Sequence, residues 1–298
     1  MAETYRKYLD PDVLKAITGL ELKARLIVEG FVSGLHRSPF RGFSVEFAEH
    51  REYVPGDDIR HVDWKVYGKS DRFYIKQYEE ETNLRCWLFV DISESMDYGS
   101  GGMTKLDYAR HVAAALAYLI TQQQDAVGLC LFDSEVRVFL PPASSAGHLR
   151  LLVRELDQAS PKGKTAVGDV MRRAAEQLGG RGIVLVLSDL FDKPDSILNA
   201  VRRLRHRNHE VVLFHLLDHA ERTFPFERMT LFEGLESAPA LLADPAALRT
   251  QYLAELDAFR STLRHGCLGD RVDFVELDTK TPLDKALSTY LASRGARR

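Results

Sequence analysis

From residue 84 onward the chain alternates short apolar runs with amphipathic segments, and this alternation restricts its fold more than any other feature. Apolar runs occur at 84–91, 126–132, 183–188, 210–217 and 272–277. Those at 84–91 and 183–188 are almost unbroken in Val, Ile, Leu and Phe, the pattern of strands covered on both faces. Between them lie helical patterns. Residues 104–123 place Leu106, Ala109, Val112, Ala113, Leu116, Leu119 and Ile120 on one stripe. Residues 166–178 carry Val167, Val170, Met171, Ala174 and Leu178, and Gly179-Gly180 supplies a stop. Helices are also predicted over 194–207, opened by Pro194, and over 246–264 and 282–293. Val136–Leu140 reads as a short antiparallel strand after a turn at Asp133-Ser134. The class is therefore α/β: a doubly wound, mostly parallel sheet with helices on both faces.

The first 83 residues have a different texture. A helix is predicted over 12–32, on the spacing of Val13, Leu14, Ile17, Leu20 and Leu22. Residues 36–82 are aromatic, charged and turn-rich, with Pro55-Gly56-Asp57-Asp58 the clearest turn and short strands expected near 44–47 and 73–78. The reading is an N-terminal helix and small β-rich subdomain over 1–83, followed by the α/β domain over 84–298.

Composition narrows the function. A formal net charge of −3 gives no electrostatic case for nucleic acid. The cluster Arg202, Arg203, Arg205, His206, Arg207 reads as a solvated helix end. Cys86, Cys130 and Cys267 are widely spaced, and two lie in apolar runs, the pattern of buried thiols in a reducing compartment. No apolar run approaches the roughly 20 residues needed to span a bilayer, and Met1–Asp12 lacks the apolar core of a signal peptide. A cytoplasmic protein without membrane insertion is expected.

Open α/β sheets bind ligands at the carboxyl ends of their strands. Asp91 and Asp189 fall at two such ends, Ser93 and Ser95 follow the first, and Thr165 precedes a helix. Each alone also reads as a turn residue or a cap. Together they are five oxygen donors on segments expected to be neighbours. Hard oxygen ligands select Mg²⁺, Mn²⁺ or Ca²⁺. Three of the five are neutral hydroxyls, so an ion held there keeps much of its charge and can accept a carboxylate from a partner protein.

Asp91-Ile92-Ser93-Glu94-Ser95, Gly163-Lys164-Thr165 and Leu187-Ser188-Asp189 resemble the three parts of the metal-ion-dependent adhesion site of von Willebrand factor A domains. Glu94 stands where that pattern commonly has Gly. Arg41-Gly42-Phe43-Ser44-Val45-Glu46-Phe47 and Arg51-Glu52-Tyr53-Val54-Pro55-Gly56-Asp57-Asp58-Ile59-Arg60-His61-Val62-Asp63-Trp64 are similar to the signature of the bacterial family called domain of unknown function 58. In that family the signature precedes a von Willebrand A-like domain. The resemblance implies a non-enzymatic accessory or adaptor protein acting beside a MoxR-type AAA+ ATPase in maturation or chaperone-like assembly. The charges of the signature are read as mutually paired, with a partner-binding surface as the alternative.

Two other readings compete. A haloacid-dehalogenase-type phosphohydrolase also puts an Asp after its first strand but needs a second carboxylic acid two positions later, where this chain has Ser93. A metal-independent structural scaffold is the other. His206, His209, His215 and His219 are spaced like zinc ligands but fall on a basic helix end and a buried strand. No P-loop sequence is present.

Overall fold

In a computed structural model, residues 19–35, 51–52, 74–75, 84–235, 240–285 and 287–289 are described. Two compact units are present: Ser38–Asn83, and Met1–Arg37 with Leu84–Arg298. In the smaller unit β1 (Arg51–Glu52) pairs antiparallel with β2 (Tyr74–Ile75). The expected strand near 73–78 thus has its counterpart, whereas the strand at 44–47 and the turn at 55–58 lie outside the described residues.

The larger unit is built on a six-stranded sheet. Its strands are β3 (Arg85–Asp91), β4 (Ala126–Phe132), β5 (Val136–Ala143), β6 (Gly182–Ser188), β7 (Glu210–Leu217) and β10 (Asp273–Asp278), in the order β10-β7-β6-β3-β4-β5. All pairings are parallel except that of β5, which returns antiparallel along β4 and carries Pro141 and Pro142. The chain runs outward from β3 to one side, then returns to lay β6, β7 and β10 on the other. The reversal of strand order therefore falls between β3 and β6, the place where such sheets open a crevice at their carboxyl ends.

Successive side chains of β3 alternate between two separate cores. Cys86, Leu88 and Val90 pack with α1 (Leu20–Leu35), α2 (Lys105–Gln122) and α3 (Ala146–Gln158). Trp87 and Phe89 pack with α4 (Val167–Gln177), α5 (Pro194–His206) and α7 (Pro245–Gly269). Burying each large apolar side chain contributes roughly 1.5–3 kcal/mol before chain entropy is counted. With both faces covered, the continuous apolar runs have no solvated side. The three cysteines are buried and form no disulfide.

Three features depart from the sequence reading. Helix α1 groups with the sheet rather than with the signature subdomain, because Leu20, Ala24, Ile27 and Val28 bury into the α2 core. The domain boundary expected at residue 83 therefore does not separate this helix from the large unit. Helix α3 had no predicted counterpart, and neither did α6 (His219–Thr223) or the hairpin of β8 (Thr230–Phe232) and β9 (Leu241–Ala243). The expected helix over 282–293 is seen as helical residues at 284–285 and 287–289.

Candidate metal and partner-docking site

Each of the five parallel strands ends on, or immediately before, a buried aspartate: Asp91, Asp133, Asp189, Asp218 and Asp278. All five use one device. One carboxylate oxygen accepts the backbone N–H two residues on, at 2.9 Å from Ser93, 2.8 Å from Glu135, 3.3 Å from Phe191, 2.8 Å from Ala220 and 2.9 Å from Lys280. The carboxylate satisfies a donor that the strand ladder no longer reaches and turns the chain off the sheet. The turn reading of Asp91, Asp133 and Asp189 thus holds, Asp218 and Asp278 share it, and one oxygen of each is left to be accounted for.

The second oxygens differ. Arg137 donates to Asp133 at 2.7 Å and Lys105 to Asp189 at 2.9 Å, and His219 lies 3.0 Å from Asp278. Asp218 accepts from the Ser100 amide and the Thr279 hydroxyl, both at 3.0 Å. Asp91 accepts the Ser188 hydroxyl at 2.6 Å, and among the described residues no cation pairs with it. Burial and the nearby negative charge of Asp189 push its carboxyl up to about 7 against the hydrogen bonds from Ser188 and Ser93. Burial raises Asp189 too, but the charge and hydrogen bond of Lys105 outweigh it and hold this carboxyl below its ordinary value.

Around Asp91 the other expected donors converge. The Ser93 and Ser95 hydroxyls share a hydrogen bond of 3.0 Å, Thr165 donates to Ser93 at 2.6 Å, and Ser95 and Thr165 lie 3.3 Å apart. Ser95 also hydrogen-bonds Asp189. Adjacent oxygens of an octahedral Mg²⁺ site with 2.0–2.1 Å bonds are separated by about 2.9 Å. The three hydroxyls already stand at spacings close to that edge length. Asp91, Ser93, Ser95, Thr165 and Asp189 are thereby brought together, and their chemistry suits a hard divalent cation.

The loops that carry these donors are stitched to one another. Lys162 N–H donates to Ile92 O at 2.9 Å, and Glu94 N–H to Gly163 O at 3.0 Å. Gly163 has φ +67°, and a β-carbon there would come 3.2 Å from the Asp133 carboxylate. Gly168 lets α4 approach α5, since a β-carbon would lie 2.2 Å from the Ser196 hydroxyl. Its N–H meets Asp192 at 3.0 Å. Glu94, in the place of the usual Gly, is half-buried, and its backbone serves this stitching.

Three residues at the site carried no assignment in the sequence reading. Ser188 bridges Asp91 and the Leu190 amide. Lys105, buried at the first turn of α2, is shared between Asp189 and Glu221, at 2.9 and 2.7 Å. A cation at a helix N-terminus opposes the helix dipole, so Lys105 depends on these two acids. Glu221 in turn accepts from the Asp218 amide, which joins the site to α6. The 99–102 loop is tied down through Ser100. The four histidines do not cluster. The ring of His215 lies between Phe259 and Phe274, and burial lowers it to about 4; His219 faces Asp278. No group of three or more His, Cys, Asp or Glu suited to a metal occurs among the described residues.

The family described as "Protein of unknown function DUF58" matches residues 49–262. An uncharacterized protein of Mycobacterium tuberculosis strain H37Rv is 27% identical over 293 residues, covering 96% of this chain and 90% of its own. An uncharacterized protein of Mycobacterium bovis matches to the same extent. Among solved structures, the conserved hypothetical protein BatB of Bacteroides thetaiotaomicron aligns with TM-score 0.48 at 17% identity, over 72% of this chain and 99% of its own. The SpRpn10 VWA domain aligns with TM-score 0.43 at 13% identity, over 69% of this chain and 94% of its own. The chain belongs to the DUF58 family, and its larger unit is an α/β domain on a mostly parallel sheet.

Proposed function

We propose that this DUF58-family chain is a metal-dependent protein-interaction module, with Asp91, Ser93, Ser95, Thr165 and Asp189 holding Mg²⁺, or Mn²⁺ or Ca²⁺. The observation that carries the reading is Asp91: a fully buried carboxylate with only neutral donors, beside three hydroxyl oxygens at coordination spacing. A bound divalent ion would supply the missing counter-charge and an open position for an oxygen ligand from outside. The protein's own contribution is to hold the hydroxyls in place through the stitched loops and to keep Asp189 oriented through Lys105. A partner protein offering a carboxylate is the ligand this arrangement suits.

The reading is of a non-enzyme. A haloacid-dehalogenase-type hydrolase would need a carboxylic acid at position 93, and the buried Ser93 hydroxyl instead accepts a hydrogen bond from Thr165. Within this reading the chain works in the cytoplasm as an accessory to a MoxR-type AAA+ ATPase in maturation or chaperone-like assembly. No helix among the described residues is long and apolar enough to cross a membrane. Calorimetric titration of the purified protein with Mg²⁺ and Mn²⁺ tests the site. Saturable binding lost in Asp91→Asn supports it, and absence of binding up to millimolar ion removes it. Partner capture that persists unchanged in excess chelator would favour the metal-independent scaffold.

A further inference from the structure

One residue beyond Asp189 the chain does something costly. Leu190 has φ +55°, a left-handed conformation that non-glycine residues adopt at a penalty of about 1–2 kcal/mol. Its side chain is fully buried, and its N–H is held by the Ser188 hydroxyl at 2.8 Å. Asp192 N–H closes back on Leu190 O at 2.7 Å, and the Asp192 carboxylate is fixed by the amides of Gly168 and Lys193. The tight turn leaves Phe191 pointing outward, 72% exposed, while its backbone N–H donates to Asp189. A large exposed aromatic on a pinned backbone has little conformational entropy left to lose on contact. The same rim carries exposed Lys162 and Lys164, just before Thr165, and exposed Lys193. Acidic Glu94, Asp97 and Asp195 lie on the flanking segments, whereas the 162–164 and 191–193 loops carry three lysines against the one, amide-held carboxylate of Asp192.

We infer that Phe191 is a specificity-determining contact: it receives an apolar side chain lying within a residue or two of the partner's carboxylate, with Lys162, Lys164 and Lys193 favouring further acidic residues around it. The partner is thus an acidic segment with an apolar residue beside the coordinating Asp or Glu. This rests on the metal-dependent reading above and narrows the class of partner that the site accepts.

The test uses an immobilised peptide library with one fixed Glu and randomised neighbours, probed with the full chain in Mg²⁺ and in chelator. Wild-type protein is expected to retain, only in Mg²⁺, peptides with Leu, Ile, Met or Phe next to the Glu. Phe191→Ser, a change at an exposed position outside the ligand set, should weaken those peptides about tenfold and leave peptides with Ser or Gly beside the Glu unaffected. Magnesium-dependent binding with no apolar preference, or a preference unchanged in Phe191→Ser, overturns the inference and leaves the metal reading standing. Absence of any magnesium-dependent binding by the wild type overturns both.

Discussion

Strands β3 and β4 run side by side in parallel register, and a buried aspartate sits at the end of each and accepts a backbone N–H two residues on. At Asp133 the remaining oxygen faces the Arg137 guanidinium, supplied four residues later by the start of β5. At Asp91, among the described residues, the carboxylate meets serine hydroxyls and no cation. The local structure is the same, and the difference lies in whether the counter-charge is part of the chain. Asp189, on the other side of β3, is of the first kind, with Lys105 brought from α2. A buried carboxylate without a cation is a cost that a protein normally removes by pairing. Among the described residues Asp91 and Asp218 both lack one. Against burial, hydrogen bonds from Ser100, Ala220 and Thr279 hold Asp218 below its ordinary value, whereas Asp91, at the switch point of the sheet, is pushed up, so it is there that a cation from outside gains most.

The largest expected effect breaks a built-in pair. Lys105→Met leaves Asp189 and Glu221 facing each other and should cost about 3–5 kcal/mol in urea unfolding. Added Mg²⁺ should recover more stability in this variant than in wild type, because Asp189 then also needs a cation. Failure of Mg²⁺ to discriminate the two proteins would count against Asp189 as a ligand.

Removing the uncompensated charge should act in the opposite direction. The Asp91 carboxyl is raised in the folded protein from 3.8 to about 7, so its favourable contribution is complete below about 4 and is lost as pH rises through 7. Asp91→Asn keeps the shape and removes the charge. At pH 8 without metal it should be more stable than wild type by about 1 kcal/mol, yet give no Mg²⁺-induced rise in Tm. Equal or lower stability of the variant would show that Asp91 is already neutralised within the chain.

The same linkage predicts a pH-dependent response of the wild type. Metal binding favours the ionised carboxylate and releases its proton. The Mg²⁺-induced rise in Tm should therefore be larger at pH 8 than at pH 6, and a flat profile in scanning calorimetry would separate Asp91 from the metal. The smallest effect is expected at Arg137, which is 43% exposed. Arg137→Met should lower Tm by a few degrees and leave Mg²⁺ affinity unchanged, since Asp133 belongs to the frame and not to the ligand set.

Much of the sheet was legible in the sequence. The strands at 126–132 and 210–217 match to the residue, because runs such as Val211, Val212, Leu213 and Phe214 can satisfy only a surface covered on both faces. Helix α3 carried a readable signal, with Ser145 as its cap and Leu149, Leu152, Val153 and Leu156 on one face. The short β8–β9 hairpin has no periodicity long enough to read. At the candidate site the five oxygen donors stood out by residue type and position at strand ends. Lys105, Ser188 and Glu221 did not, because their roles depend on partners 84, 97 and 116 residues distant in the chain. The placement of α1 was hidden for the same reason, since an amphipathic stripe announces that a helix buries one face and not what it buries it against.

The edge strand β5 bears on a different matter, the solubility of a molecule that works by attracting others. An exposed strand edge is a template for uncontrolled pairing with other chains. Pro141 and Pro142 have no backbone N–H, so this stretch of β5 offers fewer donors for such pairing. The prolines thus disfavour pairing of this flank of the sheet with copies of itself.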